Sequence, residues 1–448
     1  MFGFLGKFSV KRKRSAPVIC ERAAHCISRR NIDPDALRVL YRLSDRGYTA
    51  YLVGGGVRDL LLGRTPKDFD VGTNATPNEV KRVFRNCFLI GRRFRLAHVR
   101  FAGGKVIETA TFRQNPQTVG EIIEHAAEGP QEDNTFGTPE TDAHRRDFTV
   151  NGLFYDIKTY AVIDWVGGLE DLKKRLIRSI GDPMIRFRED PVRMMRAVKF
   201  ASRLDFAIER KTERAIRRLH ACILTAAVPR LCEEVFRLFP YGASAKAFRM
   251  MYEFGLLGDL LPELAAFIDK DGGVESSTWK YLATLDRYEK AMRARGVEVS
   301  SGVRAAALFA AMARARPGHA YEIVGTMMES LRIPKTTYFT AVLLLDSVKR
   351  LEQPSSIATV DFPSFTHQSH TGSSSGAAFT KAGRFSLEVF FSSLMVFTLF
   401  LARLTGLRVP LIQHPLVAPF RARHDAVEVE DVRKLPVVDD PRLRRGRA

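Results

Sequence analysis

The chain has 448 residues, enough for two or three domains, and its 45% hydrophobic content is that of an ordinary soluble globular protein with real cores to bury. Lys and Arg outnumber Asp and Glu by 70 to 50, a formal charge of +20, which argues for a polyanionic partner, nucleic acid or a phosphorylated ligand, with a membrane surface the lesser option. Five cysteines, an odd number without any Cys-x-x-Cys spacing, argue against a disulfide framework and a zinc site and fit a reducing cytoplasm.

Residues 1–32 read as a basic, weakly patterned arm, whose apolar start before Lys7, Lys11, Arg12, Lys13 and Arg14 is too short for a secretory signal. Asp33-Pro34 supplies an N-cap and an N1 proline for a helix running to Gly47. From Tyr48 to about Gly181 short β-type runs alternate with helices, and Ala50–Val53, Asp68–Val71, Cys87–Ile90, Ala97–Phe101, Lys105–Phe112 and Val162–Trp165 are the expected strands. Thr76-Pro77-Asn78-Glu79 has the spacing of a capping box, and Gly103-Gly104 fits a tight hairpin between antiparallel strands.

After Asp190 strand signals nearly vanish, and apolar residues recur at helical spacing through 193–204, 212–224, 231–238 and 245–257. Ser, Thr, Gly and Pro dominate from Gln353 to about Lys381, which marks a linker. Phe385–Ala402 carries a single charge, Glu388, and reads as a buried or interfacial helix, because nothing else suggests a membrane. The first part therefore reads as an α/β or α+β domain, a sheet with helices, followed by an all-helical array. The expected segments of the chain are an arm (1–32), a head (33–181), a helical neck (182–260), a helical body (261–352), and a linker with an atypical tail (353–448).

Three blocks carry chemistry. In Leu52-Val53-Gly54-Gly55-Gly56-Val57-Arg58-Asp59 a strand runs into a glycine turn and a helix start, where backbone N–H groups approach a phosphate and Arg58 adds a charge. Alone that is an ordinary structural turn, but Asp68-Phe69-Asp70 follows: two carboxylates two residues apart on a β-type segment share a face and hold metal ions jointly. Two magnesium ions there, or manganese, would activate an attacking hydroxyl and neutralise triphosphate oxygens. Glu108, in the expected strand Val106-Ile107-Glu108-Thr109-Ala110, is the candidate third carboxylate, with a surface-facing glutamate an equal reading. In the second block, Arg145-Arg146-Asp147-Phe148-Thr149-Val150-Asn151, the arginines suit phosphate and ribose while Asp147 joins or orders the carboxylates. The third, from Arg186 to Arg196, holds a helix with Asp190 at its N-cap and Pro191 at N1. There Asp190 and Arg193 share a face and offer an acceptor beside a donor, enough to read the Watson–Crick edge of adenine.

In this order the blocks resemble the bacterial branch of the tRNA nucleotidyltransferase and poly(A) polymerase family, over roughly residues 48–260 and more faintly to about 345. The resemblance implies a nucleotidyltransferase head with metal-binding Asp68 and Asp70. It puts Gly54, Gly55 and Arg58 beside the triphosphate, Arg146 and Arg196 in support of the nucleotide, Asp147 as an active-site acid, and Asp190 with Arg193 on the incoming base. It implies template-independent transfer of AMP from ATP to RNA 3′ ends, in the cytoplasm, with release of pyrophosphate. RNA and ATP are the expected partners, with no DNA and no stable membrane association, and protein partners would come from RNA degradation or RNA chaperones.

The stretch Leu89-Ile90-Gly91-Arg92-Arg93-Phe94-Arg95-Leu96-Ala97-His98-Val99 resembles poly(A) polymerases more than CCA-adding enzymes. Read from its residues alone, Arg92, Arg93 and Arg95 form a basic patch suited to a phosphate backbone, and His98 is structural. Three rivals stand: a CCA-adding enzyme, an inactive RNA-binding module, and a transferase acting on small molecules.

Overall fold

The computed structural model describes residues 16–91, 95–114 and 136–352. The described residues fall into two compact units, one holding those up to Arg193 with Asp205–Ile216, the other Met194–Leu204 with those from Arg217 onward. The expected linker, Phe385–Ala402 and the rest of the segment 353–448 lie outside the described residues.

In the first unit the order is β1 (Val18–Cys20), α1 (Pro34–Asp45), β2 (Ala50–Val53), α2 (Gly55–Leu61), β3 (Asp70–Thr73), α3 (Pro77–Val83), β4 (Cys87–Ile90), β5 (Leu96–Arg100), β6 (Val106–Thr111), α4 (Pro139–Arg145), β7 (Leu153–Asp156) and β8 (Val162–Asp164). Then come α5 (Gly168–Lys174), β9 (Leu176–Ile177), α6 (Pro183–Glu189), α7 (Val192–Leu204), β10 (Ala207–Ile208) and α8 (Arg210–Leu219), the last two helices crossing the unit boundary in sequence. Eight strands form one sheet in the order β1-β8-β7-β2-β3-β6-β5-β4, in which β3 and β6 alone run parallel.

One face of this sheet is a core. Ala36, Val39, Leu40 and Leu43 of α1 and Val80 of α3 are buried with Leu52, Val71, Ala97, Val99, Ile107 and Tyr155. Those helices form where the sequence marks them: Asp33 accepts the amides of Asp35 and Ala36, and Thr76 and Glu79 cap each other reciprocally. Lys105 anchors the start of α1 to the sheet through Asp35, at 2.9 Å, and through Asp33. The opposite face holds a smaller cluster of Val53, Phe112, Ala143 and Phe154, with Tyr51 and Trp165 against it.

The second unit is helical, as the apolar spacing requires, with α9 (Val228–Phe236), α10 (Ser244–Glu253), α11 (Leu256–Leu260), α12 (Pro262–Lys270), α13 (Ser277–Ala294), α14 (Ser301–Ala315), α15 (Ala320–Leu331) and α16 (Lys335–Glu352). No helix of the described residues is long and apolar enough to cross a membrane.

Four local expectations change. The basic arm contributes β1, which pairs antiparallel with β8. Leu153–Asp156 is an unpredicted central strand: flanked by β2 and β8, with Leu153, Phe154 and Tyr155 all buried, it lacks the alternation that marks half-exposed strands. The carboxylate strand starts at Asp70 and leaves Asp68 in the preceding loop, because β2 ends at Val53, opposite Asp70, and offers no residue for Asp68 to pair with. Finally, the segment before Asp190 is helical as well: α6 closes at Asp190, whose extended backbone (φ −145°, ψ 91°) and following proline separate it from α7.

Replacing Asp33 by Ala removes the α1 cap and one partner of Lys105. We expect a loss of about 1–2 kcal/mol of stability, read as a lower urea midpoint with an unchanged m-value.

Candidate active site

The glycine loop leaves β2 by a conformation that a side chain forbids. Gly54 has φ 71° and ψ −129°, and its N–H donates to the carbonyl of Leu153 at 3.0 Å. A Cβ there would also stand 2.7 Å from Nη1 of Arg146. At Gly56 an added Cβ would meet the carbonyl of Asp68 at 3.4 Å, so the carboxylate loop packs closely on the start of α2.

Two arginines fix this loop, by different means. Arg58 is only 2% exposed; its guanidinium donates to Asp59 Oδ1 at 2.9 and 2.7 Å and to the side-chain oxygen of Asn151. The amide of Asn151 donates in turn to Asp147 Oδ1 at 3.0 Å, an oxygen that also accepts the N–H of Phe148 at 2.8 Å. Arg58 therefore braces the turn from within, and the Asp147 carboxylate holds Asn151 in place. Arg146 donates twice to Asp142 Oδ2, at 3.1 and 2.9 Å, reaches the backbone oxygen of Asn151 at 3.4 Å, and lies 5.2 Å over the ring of Phe154. Burial pushes the Asp142 carboxyl up, but Arg146 and Arg145 outweigh it and hold the group below its usual range. Asp142 and Asn151 are site residues to which the sequence reading gave no role. The i,i+4 spacing of Asp142 and Arg146 on one helix was the available signal for the first.

The carboxylates meet on two neighbouring interior strands of the sheet, with Asp68 in the loop that leads into the first of them. Asp70 pairs with Val53 on β2, and one step before the Val71–Thr109 pair it lies beside Glu108 on the parallel neighbour β6. On the same face Gly72 leaves room for the ring of Phe112, which would stand 2.7 Å from a Cβ. Burial first, then the negative charge of Glu108, pushes the Asp70 carboxyl up to about 6; Arg146 pulls the other way and Asp68 adds to the rise. Glu108 keeps 52% of its side chain exposed and has Nε2 of His98 at 3.8 Å, so it points out of the sheet, as the surface-facing reading has it, while its charge still acts on Asp70.

This donor set fits a divalent cation. It is hard oxygen, it crowds negative charge, and burial together with that crowding pushes the carboxyl of Asp70 up. Among the described residues no three Asp, Glu, His or Cys side chains are grouped so as to hold a metal ion by themselves, so water or phosphate oxygens would have to complete a shell.

Asp190 and Arg193 come together across the helix break, with Arg193 Nε 4.0 Å from Asp190 Oδ2 and Nη1 3.6 Å from Glu189. Arg186, itself buried, donates to the carbonyls of Arg145 at 2.6 Å and Arg146 at 3.0 Å and so ties α6 to the end of α4. Arg196 belongs to the second unit, where its guanidinium is 3.8 Å from Glu234. Arg95 is exposed at the entrance to β5, and Arg92 and Arg93 lie outside the described residues.

Residues 50–178 match the family model described as the poly A polymerase head domain, and residues 205–268 match the one described as the probable RNA and SrmB-binding site of polymerase A. Poly(A) polymerase I of Salmonella typhi is 47% identical over 258 residues, 57% of this chain and 55% of that protein. The CCA-adding enzyme of Geobacillus stearothermophilus is 35% identical over 267 residues, 59% and 64% of the two chains. Among solved structures, the Bacillus stearothermophilus CCA-adding enzyme in complex with CTP shares 26% identity at a TM-score of 0.57, over 84% of each chain. The chain spans little more than half the length of the poly(A) polymerases it matches.

Asp70 binds its proton more tightly in the folded chain than in the unfolded one, so in metal-free protein its contribution to stability falls as pH rises from about 4 to about 6. Asp70→Asn should therefore raise the metal-free Tm above pH 6, by the equivalent of roughly 1–3 kcal/mol, and leave it unchanged below pH 4. Magnesium should stabilise the native chain and not the variant. Gly54→Ala adds a clash with Arg146 to a forbidden φ, whereas Gly63, at φ 67° with nothing within 4 Å of a Cβ, carries the backbone penalty alone. Calorimetry should find Gly54→Ala the more destabilising by at least about 1 kcal/mol.

Proposed function

We propose, from the premise that over its head and neck this chain belongs to the poly(A) polymerase and tRNA nucleotidyltransferase family, that it transfers AMP from ATP to the 3′ ends of RNA without a template. The observation that carries the reading is that Asp70, at the start of an interior strand, feels the charges of both Glu108 on the neighbouring strand and Asp68 in the preceding loop, beside a glycine loop against which Arg146 is packed. Its higher identity to a poly(A) polymerase than to a CCA-adding enzyme supports adenylate as the transferred nucleotide.

In the reaction the RNA 3′-oxygen attacks the α-phosphorus of ATP, a new phosphodiester bond forms, the α–β bridge breaks, and pyrophosphate leaves. Asp70, with Asp68 and Glu108, would hold magnesium or manganese ions, which when bound activate the hydroxyl and neutralise triphosphate oxygens. Around that centre the loop from Gly54 to Gly56 supplies backbone without side chains, so phosphate oxygens approach closely. The Arg146 guanidinium, fixed by Asp142, brings a preorganised positive charge. Arg58, Asn151 and Asp147 keep that loop rigid from behind. For base choice, the Asp190 carboxylate accepts from the adenine 6-amino group and Arg193 donates to ring N1, a pattern that no external template needs to supply. Arg196 supports the nucleotide from the same helix as Arg193.

Extension of a 5′-labelled oligonucleotide and of a tRNA lacking its CCA end, with magnesium and each single nucleoside triphosphate, tests this. We expect long ladders on the oligonucleotide with ATP alone, none with Asp70→Ala, and relaxed nucleotide choice with Asp190→Ala. Addition that stops at CCA on the tRNA would transfer the assignment to CCA addition, and full activity in Asp70→Ala would sink the mechanism.

A further inference from the structure

One face of the sheet corner formed by β4, β5 and β6 is a core, and the other is exposed in an unusual way. Cys87, Ala97, Val99 and Ile107 point into the core, so Phe88, Ile90, His98, Arg100, Val106 and Glu108 share the opposite face. Phe88, Ile90 and Val106 there are 50, 45 and 37% exposed, where a solvated sheet face would carry polar side chains. Arg100 holds its guanidinium 4.4 Å from the ring centre of Phe88, and Arg95 stands exposed at the strand entrance.

This patch is continuous with the carboxylates. In the register of the sheet Phe88 opposes His98, His98 opposes Glu108, and Glu108 lies beside Asp70, a single row across four adjacent strands. At about 4.8 Å per strand the row is about 14 Å long, the rise of about four stacked nucleotides. It is acidic at one end, where a hydroxyl would be activated, and aromatic and cationic at the other.

We infer that this row is the seat of the single-stranded 3′ end of the RNA: the terminal hydroxyl lies at Asp70 and Glu108, and a base a few nucleotides upstream stacks on the Phe88–Arg100 pair. The inference rests on the reading of the chain as an RNA nucleotidyltransferase. The chemistry favours this occupant because an aromatic ring stacks on any base while guanidinium groups meet the phosphates, which gives grip without sequence preference. A protein partner or a second copy would use the apolar residues but would have no call for the row of charge leading to the carboxylates.

The test uses the full chain, with RNA affinity measured by anisotropy of a 5′-labelled oligoadenylate ending in 3′-deoxyadenosine, and KM measured separately for RNA and for ATP. Phe88→Ala should raise the RNA Kd and the RNA KM roughly tenfold and leave the ATP KM within about twofold. Phe88→Trp should restore both, and Arg100→Ala should also flatten the salt dependence of binding. Because Phe88 is half exposed, its replacement leaves the core intact, which circular dichroism verifies. Unchanged RNA affinity in folded Phe88→Ala would overturn the inference, as would a native dimer that becomes monomeric in that variant with RNA binding intact. If the native chain extends no RNA at all, the functional reading fails by itself, and the anisotropy comparison still decides whether the row holds RNA.

Discussion

The guanidinium of Arg146 lies where a methyl group on residue 54 would be, and the geometry of the head depends on that close approach. Asp142 fixes the guanidinium from one side and the backbone of Asn151 from another, while Arg186 binds the carbonyl of Arg146 itself. From this position its charge acts on Asp70 against the combined push of burial, Glu108 and Asp68. A lysine has one point charge and no fork, and could not bond Asp142 and Asn151 while lying flat on the ring of Phe154. Glycine at 54, aspartate at 142 and arginine at 146 are one requirement distributed over three positions.

Part of the positive charge that points to a polyanion is consumed inside the protein. Arg58 and Arg186 are buried and bonded in the first unit. In the second, Arg304 is buried against Glu289, and Lys199, whose ammonium burial lowers to about 8, donates to Glu234. Arg203 and Arg293 both pack on Tyr241, their guanidinium carbons 3.9 and 4.1 Å from the ring centre. Interactions of this kind add little net stability, because desolvation offsets most of the attraction, but they penalise any arrangement that leaves a charge alone. Net charge therefore overstates the surface available to a polyanion.

How much could be read in advance follows from how local each cause is. The cap at Asp33, the capping box at Thr76 and the turn at Gly103-Gly104 depend on residues within a few positions, and each appears where the sequence marks it. Strands β2 and β4 match residue for residue because turn residues bound them. By contrast β7 was hidden by its burial on both faces, and the place of Asp68 outside its strand depends on where a different strand ends. Whether Arg58 faces a phosphate or the interior turns on Asn151, 93 residues further along the chain, and no local pattern reports that. The pairing of Asp70 with Glu108 was legible as chemistry but not as register.

The parallel pairing of β3 with β6 bears on how the chain folds. Strands β4, β5 and β6 are consecutive and antiparallel, so they zip together through short loops, whereas β3 reaches β6 only once α3 and two strands have been laid down between them. The central strand β7, which carries the chain past Arg146 and Asn151, is made later still. Contacts of high sequence separation form slowly, so the two carboxylates meet late and their arginine arrives last. A chain still emerging from the ribosome thus possesses the acidic residues before it possesses the site they form, which exists only when this unit is complete.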